Sequence, residues 1–413
     1  MQLEGHERAL LAGVAARGEA VIDRAVAWAE VSSGSRNLAG LERQRALLEQ
    51  AFGGLPGRVE RIQLADSAEV DAAGRPVPQA HPDAIRTTVR PEAPVQVALT
   101  GHYDTVYPAD TGFLRVRQRD DGALHGPGVA DMKGGISVML AALEAFEQHP
   151  SAANLGYRVL LSPDEEIGSP ASASLLAELA HGAQVGLTYE PALGDGALAS
   201  ARKGSGNFAV AVHGRAAHAG RDFSAGRNAV AAAARLAVAL DALNGRRDGV
   251  TLNVARIDGG APLNMVPAAA VVRFNVRVPD AESVAWIEGA VDEAIAGCAR
   301  EGVGFERHGG MTRAPKPVNA AQQQLFDGAR QAAALIGLEL QWKPSGGVCE
   351  GNNLFAAGLP NLDTLGVRGG DIHSEAEHAW PDSFVERAQL SLLILSKLAC
   401  GDIDARALRA AMG

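Results

Sequence analysis

The chain has 413 residues, 47% hydrophobic and 21% charged. That is a globular balance, and the length exceeds one ordinary core, so two domains are expected. A net charge of −10 argues against nucleic acid as the main partner, since phosphate binding needs clustered Lys and Arg. Three dispersed cysteines, Cys298, Cys349 and Cys400, form no C-x-x-C pair, which argues against a disulfide framework and fits a reducing compartment.

The first thirty residues, "MQLEGHERALLAGVAARGEAVIDRAVAWAE", read as amphipathic helix without the basic and apolar regions of a signal peptide. No uninterrupted apolar run reaches the ~18 residues of a membrane span, so a cytoplasmic protein is expected. Residues 1–52 are predicted helical, with a break at "SSGSRN". The stretch 53–94, rich in Pro, Gly and Asp, is expected to hold one strand and an exposed loop. "VQVALT" (95–100), "YRVLLS" (157–162) and "QVGLTYE" (184–190) read as strands. "GGISVMLAALEAF" (134–146) and "SASLLAELA" (172–180) read as helices. This alternation indicates βαβ units and a mostly parallel sheet flanked by helices.

The pattern changes near residue 200. "GNFAVAVHG" (206–214) and "AAAVVRFNVRVP" (268–279) alternate as strands, and two Ala-rich helices accompany them. They suggest a smaller α+β domain over 203–314, inserted into an α/β domain made of 1–202 and 315–413. A helix at 320–336, a Gly-rich turn at "SGGVCEGNN", a strand at "NLDTLGV" and a terminal helix at 384–399 complete the larger domain.

Chemistry-bearing residues gather at predicted strand exits, where open α/β sheets build their sites. They are His102 and Asp104 in "TGHYDTVYP", Asp131 in "GVADMKGG", Glu165 and Glu166 in "SPDEEIGSP", Glu190 in "YEP" and His373 in "GGDIHSEAEH". Each has an ordinary explanation alone; Asp131, for instance, stands where a helix N-cap stands. Their joint placement points instead to a mixed N/O ligand set for zinc, or for cobalt or manganese, with enough ligands for two ions sharing a carboxylate. In "VVRFNVRV", alternation puts Arg273, Asn275 and Arg277 on one strand face without choosing between the arginines.

These motifs, in this order, resemble the dinuclear zinc aminoacylase and carboxypeptidase family, from about residue 20 to the C-terminus. That family includes glutamate carboxypeptidase, acetylornithine deacetylase and succinyl-diaminopimelate desuccinylase. The resemblance implies that His102 and Glu190 hold one zinc, Glu166 and His373 the other, and Asp131 bridges them. It implies that Asp104 orients His102 and that Glu165 is the general base. It further implies that His218 in "GRAAHAG" reaches the site of a partner subunit, in a homodimer built through 203–314. Asn264, Arg277 and Arg313 would contact a substrate carboxylate, with Asn264 beside Arg277. "RKGSGNF" and "GRAAHAGRDFSAGRNA" look most like the glutamate carboxypeptidase branch. The expected activity is release of a C-terminal amino acid from a peptide or N-acyl conjugate; the alternative is an acetylornithine-type deacylase. The chain departs from the family's Gly-Gly-Thr-Asp or Gly-Gly-Ser-Asp at "GGVCEGNN". Cys349 is thereby a candidate for lining the substrate pocket, without a partner pattern that would make it a nucleophile, and Glu350 is left without a role.

Overall fold

The computed structural model describes residues 1–412. Six strands form the main sheet in the order Arg58–Ile62, Ala84–Val89, Leu155–Ser162, Val95–His102, Val185–Thr188, Asn361–Leu362. The last four pair in parallel, and the first two add antiparallel at one edge. Val95–His102 is buried at all but its first position, as expected of a central strand covered on both faces. The helix Lys133–Phe146 is buried almost all round. It packs in one core with apolar stripes of the N-terminal helices Gly5–Ala16, Gly18–Ala29 and Leu38–Phe52 and with the C-terminal helix Asp382–Cys400. Parallel strands must all leave the sheet at the same end. The exits after His102, Ser162 and Thr188 therefore share one edge, which is the reason distant motifs can meet there.

A second sheet is wholly antiparallel, ordered Thr251–Gly259, Ala269–Val278, Gly204–His213, Gly304–Arg313. The helices Ala229–Asp241 and Ala281–Gly297 cover one face of it and make a separate core with Phe208, Val210, Val272, Phe274 and Val276. Both helices start at side-chain caps: Asn228 accepts from the Ala231 N–H and Asp280 from the Ser283 N–H, each cap contributing about 1 kcal/mol.

The chain enters this second unit at Arg202 and leaves it at Lys316. The two residues exchange main-chain hydrogen bonds, both 2.9 Å. Asp363, fully buried, clamps them from the main sheet. It accepts two bonds from the Arg202 guanidinium, at 2.9 and 3.0 Å, and one of 2.6 Å from Lys316 Nζ. Burial alone would raise the Asp363 pKa, but Arg202 and Lys316 outweigh it and hold the carboxyl below its usual range.

Several segments differ from expectation. The stretch 53–94 carries four strands, adding the hairpin Ser67–Val70 and Pro76–Gln79 to the two edge strands. Three of them, Arg58–Ile62, Ser67–Val70 and Pro76–Gln79, are exposed or half-exposed along most of their length, so no clean alternation marks them, whereas Ala84–Val89 is mostly buried. The inserted unit has two further long strands, Thr251–Gly259 and Gly304–Arg313, both sheet edges with largely polar sequences. Only Asn361–Leu362 of "NLDTLGV" pairs as strand, because Thr364 turns at φ 62. The Gly-rich turn becomes helix at Glu350–Ala356. No helix among the described residues is long and apolar enough to cross a membrane.

Candidate metal centre

His102 is the last residue of its strand, level with Ser162 on the neighbouring one. Glu190 lies just past Val185–Thr188, and Glu165–Ile167 form a single 3-10 turn just past Ser162. Gly168 ends that turn at φ 93, a left-handed conformation that suits glycine. Asp131 precedes the helix Lys133–Phe146, whose N-cap is Met132, with no capping side chain. The carboxylate is therefore not used as a helix cap. In "DMKGG" the second glycine, Gly135, lies against the main chain of Tyr189, where a Cβ would meet the carbonyl oxygen at 2.0 Å. This close approach brings the helix start against Glu190.

Two groups of candidate ligands result, His102–Asp131–Glu190 and Asp131–Glu166–His373, each with ligand atoms within 4.8 Å of one another. Asp131 belongs to both and divides its oxygens between them. Oδ1 lies 3.1 Å from His102 Nε2, and Oδ2 lies 3.2 Å from His373 Nε2. Glu190 Oε1 is 3.8 Å from His102 Nε2, and Glu166 Oε2 is 3.1 Å from His373 Nε2. Glu190 Oε1 is also buried without a hydrogen-bond partner, an arrangement that is costly unless a cation or ligand completes it. Two imidazoles and three carboxylates suit zinc or a similar divalent ion.

Asp104 supports this set from behind. His102 Nδ1 faces its main-chain oxygen at 3.1 Å and its carboxylate at 3.3 Å, which leaves Nε2 toward the ligand group. The same carboxylate accepts the N–H groups of Glu165 and Glu166, both at 3.2 Å, and the Ser35 hydroxyl at 2.8 Å. Glu165 belongs to neither ligand group. Its Oε1 pairs with Arg313 Nη1 at 2.7 Å, and Arg313 also donates to Ser169 Oγ at 2.7 Å. Arg313, expected to contact a substrate carboxylate, lines the same cavity as Glu165, with its guanidinium paired to that residue.

A cavity of about 570 Å³ opens onto Asp131, Glu165, Glu166, Glu190 and His373, with Arg277, Asn275 and Asn207 of the inserted unit opposite them. The ambiguity between the two arginines disappears. Arg273 bonds Asp258 at 2.8 Å and the Val70 carbonyl, whereas Arg277 lines the cavity. Asn275 Oδ1 accepts from Arg277 Nε at 3.0 Å, and Arg277 Nη1 is buried without a partner. Burial, then repulsion from Arg313, lowers the Arg277 pKa.

His218 and Asn264 sit at a small, largely exposed pairing of Ala217–His218 with Met265–Val266 and do not line the cavity of their own chain, so Asn264 is not beside Arg277 there. Cys349 is not at the cavity wall either; Gly347 and Val348 are. Its buried Sγ accepts the Gly351 N–H and caps the helix Glu350–Ala356. Burial pushes its thiol pKa up, the opposite of an activated nucleophile. Glu350 is buried behind the site, accepts from the Ser162 hydroxyl at 2.5 Å, and is pushed up to about 7 by burial. Sequence reasoning missed Glu377, four residues past His373 and fully buried.

The ligand groups perturb one another. Burial opposes a charge on His102, yet its bonds to Asp104 and Asp131 hold its pKa well above the ordinary value. His373 is raised to about 11 by its bonds to Asp131 and Glu166. Burial and the neighbouring Asp131 push Glu166 up to about 8. Paired shifts of opposite groups in a cleft are typical of functional sites.

Residues 98–397 match the family model "Peptidase family M20/M25/M40". The chain belongs to this family. M20 relatives include carboxypeptidase G2 of Pseudomonas sp. (strain RS-16), 26% identical over 316 residues, covering 73% of this chain and 74% of that protein. A succinyl-diaminopimelate desuccinylase of Methylobacterium nodulans is 32% identical over 244 residues, 54% of this chain and 59% of that protein. Human carnosine dipeptidase 1 superposes with a TM-score of 0.74 at 17% identity, over 95% of this chain and 100% of that one. A tripeptidase from Staphylococcus aureus gives 0.71 at 21% identity, over 93% and 99%. The fold is that of M20 peptidases, and the chain is a metallopeptidase-family hydrolase.

Proposed function

We propose that this M20 hydrolase cuts an amide bond beside a free carboxylate and releases a C-terminal amino acid, using two divalent ions, zinc or else cobalt or manganese. One observation carries the reading. Asp131 divides its two oxygens between two imidazoles in the same cavity that holds the unpartnered nitrogen of Arg277. His102, Asp131 and Glu190 would hold one ion, and Asp131, Glu166 and His373 the other. When bound, such ions supply a water of lowered pKa and polarise a carbonyl oxygen. Glu165 takes the proton of the attacking water and returns it to the departing amine nitrogen. Arg313 keeps the Glu165 carboxylate in place between these transfers. Arg277, oriented through Asn275, receives the substrate carboxylate in a charge-assisted, forked pair. This assignment supports a carboxypeptidase; release of a small acyl group from an N-acyl amino acid would use the same residues.

The inserted unit, 203–314, is proposed to build a homodimer. The segment before Met265–Val266 exposes Leu263 and Met265 beside Asn264, and Phe223 is exposed nearby in sequence to His218. His218 Nδ1 accepts the N–H groups of Gly220 and Arg221 at 3.1 and 3.2 Å, so the neutral ring carries its proton on Nε2 and can donate to a developing oxyanion in a partner's site.

The test is hydrolysis of a panel of dipeptides and N-acyl amino acids by metal-stripped protein, with and without zinc, cobalt or manganese. Metal-dependent release of an amino acid with a free carboxylate is expected. No hydrolysis of any such substrate with any of the three ions would sink the proposal. For the dimer, mixing Glu165→Gln chains with His218→Ala chains should restore activity, and no recovery after proven chain exchange would remove the cross-subunit role.

A further inference from the structure

Asp131 is asked to serve two ligand groups at once, so the main chain that carries it must be held. Asp104 does not hold it: that carboxylate bonds Ser35, Glu165 and Glu166 and faces His102. The support comes from the other side. Glu377 Oε1 accepts the N–H groups of Ala130 and Asp131, at 3.0 and 2.9 Å. Its Oε2 accepts the Gly128 N–H at 3.1 Å and the Tyr107 hydroxyl at 2.8 Å. All four donors converge on one carboxylate that is fully buried. Three main-chain N–H groups within four residues make an anion-binding concavity, and here the anion belongs to the chain itself.

The four donors and the acceptor come from the loops that carry the candidate ligands. Tyr107 follows His102 by five residues, Asp131 is itself a donor, and Glu377 follows His373 by four. The single proton of the Tyr107 hydroxyl is shared with the Ser374 carbonyl, 2.7 Å away, and the Gly126 N–H bonds the Glu377 carbonyl at 3.2 Å. The His373 loop needs such a tie. Asp371 and His373 both take left-handed backbone, at φ 53 and 63, which costs a non-glycine residue of order 1 kcal/mol or more.

The geometry points to Glu377 as the positioning residue of the metal centre, a carboxylate that touches no ion but sets the Asp131 carboxylate between the two ligand groups. The inference rests on the proposed two-ion reading. It also explains the residue type. Only an ionised carboxylate offers acceptors on both oxygens; a glutamine would turn an NH2 toward N–H or O–H donors.

The test uses metal-stripped full-length protein titrated with Co2+, followed by its visible absorption and by competition with a chelating dye. Wild type binding two ions is the control; if it takes up none, the metal reading falls and Glu377 is not the reason. Glu377→Gln is expected to raise the apparent dissociation constants of both ions by ~10–100-fold, the usual cost of removing an outer partner. It should also change the Co2+ spectrum and regain activity in excess metal. Tyr107→Phe, which spares the three N–H bonds, should move the same quantities less. Glu147→Gln is the control for stability. Glu147 holds Arg90 and Tyr157 past the end of the helix Lys133–Phe146 opposite to Asp131, and its loss should lower Tm with the Co2+ spectrum unchanged. Wild-type affinity and spectrum in Glu377→Gln overturn the inference. Should that variant not fold, Glu377→Asp, which retracts the carboxylate by one methylene, decides in the same way.

Discussion

The two ligand groups share Asp131 but differ in surroundings. In the first, His102 is fully buried at a strand end and Glu190 nearly so. In the second, the His373 side chain is 54% exposed and sits on left-handed backbone. The strand end is rigid because sheet pairing fixes it; the loop has no sheet pairing at His373 itself and is held by separate bonds such as those of Glu377 and Tyr107. The two groups divide the labour. A buried group binds its ion with little reorganisation, whereas an open group leaves room for a substrate at some cost in affinity. The buried group should therefore fill first and empty last.

The largest effect should come from removing what the two groups share. Asp131→Ala should lose both ions and all measurable turnover, as metal analysis and activity would show. A tight ion retained in this variant would mean that the groups are independent. His373→Ala, by contrast, should keep one ion, the one held by His102 and Glu190.

The next effect concerns a residue outside both groups. Glu165→Gln should lower kcat by ~10²–10⁴-fold, the range of general acid–base catalysis, with metal content unchanged. Loss of an ion would show that Glu165 and Glu166 had been assigned the wrong way round.

A smaller loss is expected across the cavity. Arg277→Ala should lower kcat/KM by about 2–4 kcal/mol, the scale of a lost charge-assisted pair. The loss should shrink on a substrate whose terminal carboxylate is an amide. Equal losses on both substrates would make Arg277 a structural residue.

The smallest effect is one of protons. In the metal-free protein both His373 and Glu166 are raised, His373 by its bonds to Asp131 and Glu166 and Glu166 by burial and Asp131, so this pair holds on to protons that the free side chains would give up. An ion would displace them, so its apparent affinity should rise with pH, roughly tenfold per pH unit for each proton released. Titration calorimetry in buffers of different ionisation enthalpy counts them. The sign for stability follows. A raised histidine stabilises the metal-free fold fully below its ordinary value near 6.5 and loses that contribution as pH climbs toward 11. Metal-free protein should therefore lose Tm on the alkaline side more steeply than loaded protein.

Much of the ligand set was legible because its residues sit where strand runs stop. An apolar run such as "VQVALT" followed at once by His and Asp is visible without coordinates. Edge strands were not legible. "RVERI" and "GFERHGGMTR" face solvent over much of their length, so they carry no strict alternation. Glu377 was hidden for a related reason. In "HSEAEH" nothing local distinguishes Glu375, which is exposed, from Glu377, which is wholly buried. Only the approach of the 126–131 loop tells them apart.

By itself, then, the sequence determined the parallel sheet, the inserted unit's helices and the strand exits bearing His102, Asp104, Glu165, Glu166 and Glu190. Those follow from local periodicity and from where it breaks. Tertiary structure alone decided that Arg277, not Arg273, faces the cavity, that Arg313 meets Glu165, that Cys349 caps a helix, and that Glu377 gathers four donors. Each of these depends on which distant groups converge on a side chain once the chain has closed. A hydrogen bond or ion pair between residues 148 or 246 positions apart leaves no periodic trace in either segment.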